Sequence, residues 1–217
     1  KQTVDKVKEA DVIIFAGGIS PAVEGEEMHV NIPGFKGGDR ETIELPSIQS
    51  RLLAELKKAG KKIVFVNFSG SAIALTPESK TCDAILQAWY PGQAGGQAVA
   101  EVLFGDYNPA GRLPVTFYRN VSQLPDFEDY NMTGRTYRYM TQEPLFPFGH
   151  GLSYTSFSYG AVVLGSDNIK SGEKLRLSVP VTNTGKCDGE EVVQVYLKKN
   201  DDVEGPSKAL RAFKRVH

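Results

Sequence analysis

Apolar residues come in two different rhythms along this chain. In the first two-thirds, short unbroken apolar runs alternate with stretches of helical spacing. Residues 2–9 are amphipathic and lead into Val12-Ile13-Ile14-Phe15-Ala16, which Gly17-Gly18 ends. An unbroken run of this length predicts a strand buried on both faces of a parallel sheet. Ser47 stands where it would cap a helix in which Ile48, Leu52, Leu56 and Ala59 recur at helical spacing before Gly60 stops it. Residues 63–68 predict a second buried strand, 84–90 a third, and 93–104 a helix ended by Gly105. Strand, helix, strand and helix in this order imply a doubly wound α/β layer.

The second rhythm begins near Ser156. Residues 174–181 alternate with period two, and residues 191–197 follow the turn-rich Asn183-Thr184-Gly185-Lys186. With 157–164 and 210–216 this makes four strand-like runs, the beginning of a β-sandwich that typically needs ~7 strands in ~100 residues. Unpaired edges and an apolar face carrying Val179, Val181, Val193 and Val195 then predict either self-association through this region or a sandwich more mobile than the α/β layer. Between the two rhythms, residues 113–154 are rich in Pro, Gly, Tyr and Asn. A connection this long is expected to wrap a surface or to carry function. The predicted architecture is therefore α/β: residues 1–150 form a partial α/β/α sandwich with a mostly parallel sheet and a linker, and residues 151–217 form a partial β-sandwich.

Composition narrows the function classes. The 217 residues are 41% hydrophobic and 24% charged, with a formal net charge of −1. No basic stripe or acidic tail stands out, which argues against nucleic acid and anionic membrane as partners. No apolar run approaches the ~18 residues of a membrane span. Residues 1–10 are charged and do not read as a signal peptide, and the chain reads as starting mid-fold. Cys82 and Cys187 are too few for a disulfide framework and read as two unpaired thiols in different domains. His29, His150 and His217 are scattered, without the ligand spacing of a zinc site.

The candidate chemistry starts with Glu24, Glu26 and Glu27, in a loop directly after the first buried strand. Ligands bind at the carboxyl ends of strands in open α/β sheets. A carboxyl beside other carboxylates, and shielded from water by a bound ligand, holds its proton to higher pH, as a general acid must. The plain alternative is a solvated acidic loop. Gly34-Phe35-Lys36-Gly37-Gly38-Asp39-Arg40 offers a second loop, in which Phe35 is a candidate stacking platform and Lys36, Asp39 and Arg40 are candidate substrate contacts. Its plain alternative is a surface loop whose base an Asp39–Arg40 pair fixes. Gly17-Gly18 lacks the full glycine pattern of a nucleotide site. Asn67, Asn120 and Asn131 head glycosylation tripeptides, with Asn67 in a predicted buried strand. Trp89, Tyr90 and His150 read as structural, with ligand stacking the minority reading for the first two.

Five stretches together resemble one enzyme family. They are residues 23–27 (VEGEE), 89–96 (WYPGQAGG), 102–114 (VLFGDYNPAGRLP), 146–154 (FPFGHGLSY) and 181–185 (VTNTG). This pattern resembles glycoside hydrolase family 3, of the β-glucosidase and β-xylosidase type. The resemblance spans nearly the whole chain and implies the C-terminal part of such an enzyme, with residues 151–217 opening a fibronectin type III-like domain. It implies a retaining hydrolase of terminal β-linked sugars, without metal or organic cofactor, in an extracytoplasmic compartment. In the family the acid/base lies in a Glu-x-Glu loop, which aligns with Glu24 and Glu26 and points to Glu26. Here Glu27 stands where glycine is usual and Asp39-Arg40 follows late, so Glu24 and Glu27 remain alternatives. The nucleophile in the family is an aspartate of a preceding barrel domain, within a Ser-Asp-Trp-like run. Here Ser166-Asp167 is followed by Asn168, so the barrel of the same protein is an expected partner, alongside a β-linked substrate. Gly18-Ile19-Ser20-Pro21 and the long loop resemble the β-xylosidase branch more than the β-glucosidase branch. A non-catalytic carbohydrate-binding module is the competing reading.

Overall fold

The computed structural model describes residues 2–25 and 28–217. The expected acid/base Glu26 and its alternative Glu27 lie outside the described residues. After a short helix α1 (Gln2–Lys6), strand β1 (Val12–Gly18) leads to the one-turn helix α2 (Pro21–Glu24). A hairpin of β2 (Phe35–Lys36) and β3 (Asp39–Arg40) follows. Its two-residue turn, Gly37-Gly38, has φ of 61° and 96°, a conformation that suits hairpin twist and that glycine adopts freely. Helix α3 (Ser47–Lys58), β4 (Lys62–Phe68), α4 (Thr76–Thr81), β5 (Ala84–Gln87) and α5 (Gly95–Phe104) complete this part.

The three long strands form one parallel sheet in the order β1-β4-β5. Parallel neighbours need crossovers, and right-handed ones place α3 and α4 on the same face. Leu53 and Leu56 of α3, Ile63 and Phe65 of β4, and Ile19, Ile73 and Leu75 from the loops make the buried core there. The central strand β4 is buried as the continuous apolar run required. β1 departs from expectation, because Val12 and Ile14 are 49% and 51% exposed while Ile13 and Phe15 pack against the core. An outer strand has a ladder partner on one side only, and here one of its faces is also uncovered. The inner face of α3 is likewise rotated from the predicted stripe: Leu53 is buried and Ile48 exposed. Pro46, not Ser47, occupies the cap position, with no side-chain cap. α5 ends at Gly105, φ 85°, as its sequence predicted. The short helix α4 and the hairpin carry too little periodicity to be read from sequence.

Residues 113–154 fold back on themselves. Phe117 donates its N–H to Phe146 O and Gly149 donates to Leu113 O, which zips the two ends of the segment together. The zip is filled by aromatic packing: Phe117 meets Trp89 and Phe146 edge-on, and His150 stacks on Phe146 at 5.1 Å. The single turn α6 (Thr136–Tyr139) lies in the intervening excursion. The imidazole of His150 is thus a packing element, as expected, and burial beside Arg112 lowers its pKa.

The last third is made of antiparallel pairs. β6 (Phe157–Tyr159) pairs with β9 (Val181–Asn183), β7 (Val163–Leu164) with β8 (Leu177–Ser178), and β10 (Glu191–Leu197) with β11 (Ala209–Val216). Two predicted strands are each broken in two. Pro180 has no N–H to offer a ladder and separates β8 from β9. Gly160 interrupts the other run, and its Cα faces the Pro180 ring closely enough that a Cβ would lie 3.1 Å from it. β10 is tied to the first part of the molecule by Arg112, whose Nη2 meets Glu191 Oε2 at 2.6 Å with both side chains only 11% exposed. Tyr159 donates to the other oxygen of Glu191 at 3.0 Å. Both cysteines are free; burial, aided by Glu78, pushes the Cys82 thiol up to about 11, which keeps it unreactive. Among the described residues no helix is long and apolar enough to cross a membrane.

Candidate active site

The carboxyl ends of β4 and β5 carry polar residues that interrupt otherwise apolar runs. Asn67 near the end of β4 is fully buried and donates to Gln87 Oε1 of β5 at 2.6 Å, with a longer bond to Ser69 Oγ. At the end of β1, Gly18 is held from both sides by one amide. Its N–H donates to Gln49 Oε1 at 2.8 Å, and Gln49 Nε2 donates back to its carbonyl at 2.7 Å. Gly18 has φ 125°, and a Cβ there would collide with the Phe68 carbonyl, so glycine is required. This clamp fixes the exit of β1 and hence the position of α2. Glu24 therefore sits on a helical turn, not in the open loop that its sequence suggested.

Glu24 is the centre of a hydrogen-bonded group assembled from four parts of the chain. Tyr90 Oη donates to Glu24 Oε2 at 2.7 Å and lies 2.8 Å from Ile19 O, so its one proton is shared between two acceptors. Ser71 donates to Glu24 Oε1 at 3.3 Å, and Arg40 Nη1 donates to Ser71 Oγ at 3.0 Å. Arg40 Nε is bound to Thr42 O, and its Nη2 is buried without a partner among the described residues. Burial lowers the Arg40 pKa against the opposing pull of Glu24, Glu44 and Tyr90. A half-buried cation of this kind is costly without carboxylates nearby.

The four substrate contacts expected in the hairpin separate on inspection. Arg40 points inward to Ser71, and no ion pair joins it to Asp39 among the described residues. Asp39 and Lys36 are exposed. Phe35 is half-buried and packs against the core, so its ring is not a free platform. Gln49, Asn67, Ser69, Ser71 and Gln87 were not identified from sequence. The one available signal was a polar residue closing an apolar strand, as in Asn67 and Gln87. A separate open cleft of about 400 Å³ is lined by Arg112, His150, Glu191 and Tyr196. Its carboxylate is already paired with Arg112 and Tyr159, so it offers no free acid. Among the described residues no group of three or more His, Cys, Asp or Glu side chains is placed to hold a metal ion.

Residues 1–154 match the glycosyl hydrolase family 3 C-terminal domain. The chain belongs to glycosyl hydrolase family 3. Over its whole length this family 3 chain is 56% identical to a xylan 1,4-beta-xylosidase of Xylanibacter ruminicola, of which it covers 25%. It is 39% identical to a periplasmic beta-glucosidase of Salmonella typhimurium, with 99% of the chain and 28% of that protein aligned. Among solved structures it resembles a beta-glucosidase of Erythrobacter marinus, with a TM-score of 0.82, 40% identity, and coverage of 99% of this chain and 28% of that one. A Listeria innocua beta-glucosidase in complex with isofagomine gives a TM-score of 0.78 at 30% identity, with 99% of this chain and 30% of that one covered. The family 3 chain thus spans about a quarter to a third of the length of the relatives it matches.

Proposed function

We propose that this chain is part of a retaining β-glycosidase and supplies its general acid/base. The observation that carries this reading is Glu24 on the turn after β1, held at the carboxyl edge of a family 3 sheet by the Gly18–Gln49 clamp and by Tyr90, Ser71 and Arg40. Glu26 is the acid/base in this reading, with Glu24 and Glu27 as alternatives. The Glu24 carboxylate, already engaged by Tyr90 and Ser71, suits a supporting part, which favours Glu26 over it. A retaining mechanism needs a second carboxyl ~5–5.5 Å from the acid, and an aspartate of a preceding barrel in a longer protein would provide it. The acid protonates the departing oxygen as the nucleophile attacks the anomeric carbon. It then takes a proton from the water that releases the glycosyl-enzyme.

Terminal β-xylosyl units are the preferred substrate in this proposal, supported by the 56% identity to a xylan 1,4-beta-xylosidase, and β-glucosyl units come second. The periplasmic relative supports an extracytoplasmic location. The boundary between the α/β unit and a fibronectin type III-like unit is put at residues 150/151. The longer protein should release sugar from an aryl β-xyloside, and NMR of the first-formed anomer should report retained configuration. An inverted anomer, or no turnover of xyloside and glucoside alike, overturns the reading.

Two outcomes follow for the 217-residue chain alone. It should release no nitrophenol from either aryl glycoside, because one carboxyl is only half of the device. Release that Glu26→Gln abolishes would contradict this. It should also self-associate through its last third, where Val162, Val163, Leu164, Leu197 and Phe213 are exposed beside unpaired strand edges. Light scattering that reads a monomer at high micromolar concentration would refute the association.

A further inference from the structure

We infer that Tyr90 is the stacking platform for the leaving-group side of the substrate, an inference that rests on the glycosidase reading above. The residue stands where β5 was expected to continue. The ladder stops at Gln87, Ala88 N still donates to Asn67 O at 2.9 Å, and then Trp89 turns the chain with φ 56°. A left-handed backbone is costly for a bulky aromatic residue, and such strain persists only where the surroundings enforce it. Here the Trp89 side chain packs edge-on against the buried Phe117, with ring centroids 6.0 Å apart. The consequence of the turn is that Tyr90 is thrown back across the carboxyl ends of β1 and β4.

Three contacts then fix its ring. The Cδ2–Cε2 side lies against Gly70, so closely that a Cβ at that position would be 2.6 Å from the ring. The hydroxyl is held by Ile19 O and by Glu24 Oε2. The rest of the residue stays open, at 41% exposure. Burial of the oxygen, followed by the hydrogen bond and charge of Glu24, pushes the phenol up to about 12, so it remains a neutral donor throughout the physiological range. The result is a rigid aromatic surface with its tip anchored to the same helical turn that leads into Glu26. Aromatic faces of this kind complement the C–H face of a pyranose, and rigidity lowers the entropic cost of the contact.

Position decides which sugar it meets. A general acid protonates the oxygen between the cleaved unit and the leaving group, and Tyr90 is hydrogen-bonded to Glu24, two residues before the proposed acid in the sequence. The nucleophile approaches from the opposite face of the cleaved sugar. Phe35, the platform that the sequence suggested, is packed against the core and leaves this place to Tyr90.

The test compares substrates with and without a leaving sugar in the longer protein: xylobiose against methyl β-xyloside, with cellobiose against methyl β-glucoside in parallel. The readout is the disaccharide-to-methyl-glycoside ratio of kcat/KM; both leaving groups need protonation, so damage to the acid loop falls on both substrates. Tyr90→Ala should lower this ratio about tenfold, mainly through KM of the disaccharide, on the order expected for one stacked aromatic contact. Tyr90→Phe keeps the ring and should hold the ratio within about threefold. Tyr90→Leu fills the space over Gly70 without an aromatic face and should follow Tyr90→Ala, which covers the case of an alanine variant that does not fold. A ratio unchanged in Tyr90→Leu, or lowered equally in Tyr90→Phe, overturns the platform. A wild-type protein inactive on all four substrates overturns the glycosidase reading instead, and the platform with it.

Discussion

In the longer protein, Glu26→Ala is expected to slow hydrolysis of glycosides with poor leaving groups by about 10²–10⁴-fold, the usual contribution of a positioned general acid. Activated aryl glycosides should suffer far less in their first step, because a good leaving group departs without protonation. Their turnover then stalls at the glycosyl-enzyme, since water has lost its base. Azide is already an anion and needs no base; it attacks the anomeric carbon, releases the nucleophilic carboxylate and yields a glycosyl azide of retained configuration. Added azide should therefore restore part of the turnover, and the azide adduct should be detectable by mass spectrometry. Equal loss on both substrate types without rescue would transfer the role to Glu24 or Glu27. Glu24 accepts hydrogen bonds from Tyr90 and Ser71. Its replacement should disturb the position of the acid more than the supply of a proton.

The second large effect concerns stability. Glu191→Ala is expected to destabilise the fold by about 3–5 kcal/mol, because it leaves the Arg112 guanidinium buried without its counter-charge. The pair is 2.6 Å apart and 11% exposed on each side, and Tyr159 loses its acceptor as well. The double variant Arg112→Met/Glu191→Leu should recover most of that loss, since the cost comes from a stranded charge more than from a missing attraction. Urea unfolding monitored by circular dichroism gives both values. A Glu191→Ala midpoint corresponding to less than about 1 kcal/mol would show that water reaches the pair and screens it. The exposed pairs Lys57–Asp83 and Lys58–Glu55 should contribute little by the same measure.

What the sequence by itself determined is local or nearly so. Apolar runs located β1, β4 and the start of β5, although only the central β4 is buried between neighbours as such a run implies. Gly105 ended α5, and the last-third strand β10 was read at its true limits. The family was legible in its turn-rich segments, where glycine and proline answer to backbone geometry that few other residues allow. The glutamates after β1 were found as candidates for the same reason: they follow a strand end, and strand ends are where such sheets bind ligands.

Tertiary structure alone decided which side chains meet there. Gln49 reaches Gly18 across 31 residues, Arg40 reaches Ser71 across 31, Ser71 reaches Glu24 across 47 and Tyr90 reaches Glu24 across 66. No periodicity links such positions, since each contact depends on where a crossover or turn delivers the chain. The same holds for the exposed outer face of β1, the inward turn of Arg40, the burial of Phe35 and the tie from Arg112 to Glu191 across 79 residues. Strand β5 shows the division most plainly. Its apolar residues predicted a strand through Tyr90, yet packing of Trp89 on Phe117 enforces a left-handed turn that local preference opposes. That turn swings Tyr90 onto Gly70 and Glu24, a place that only the folded chain could assign.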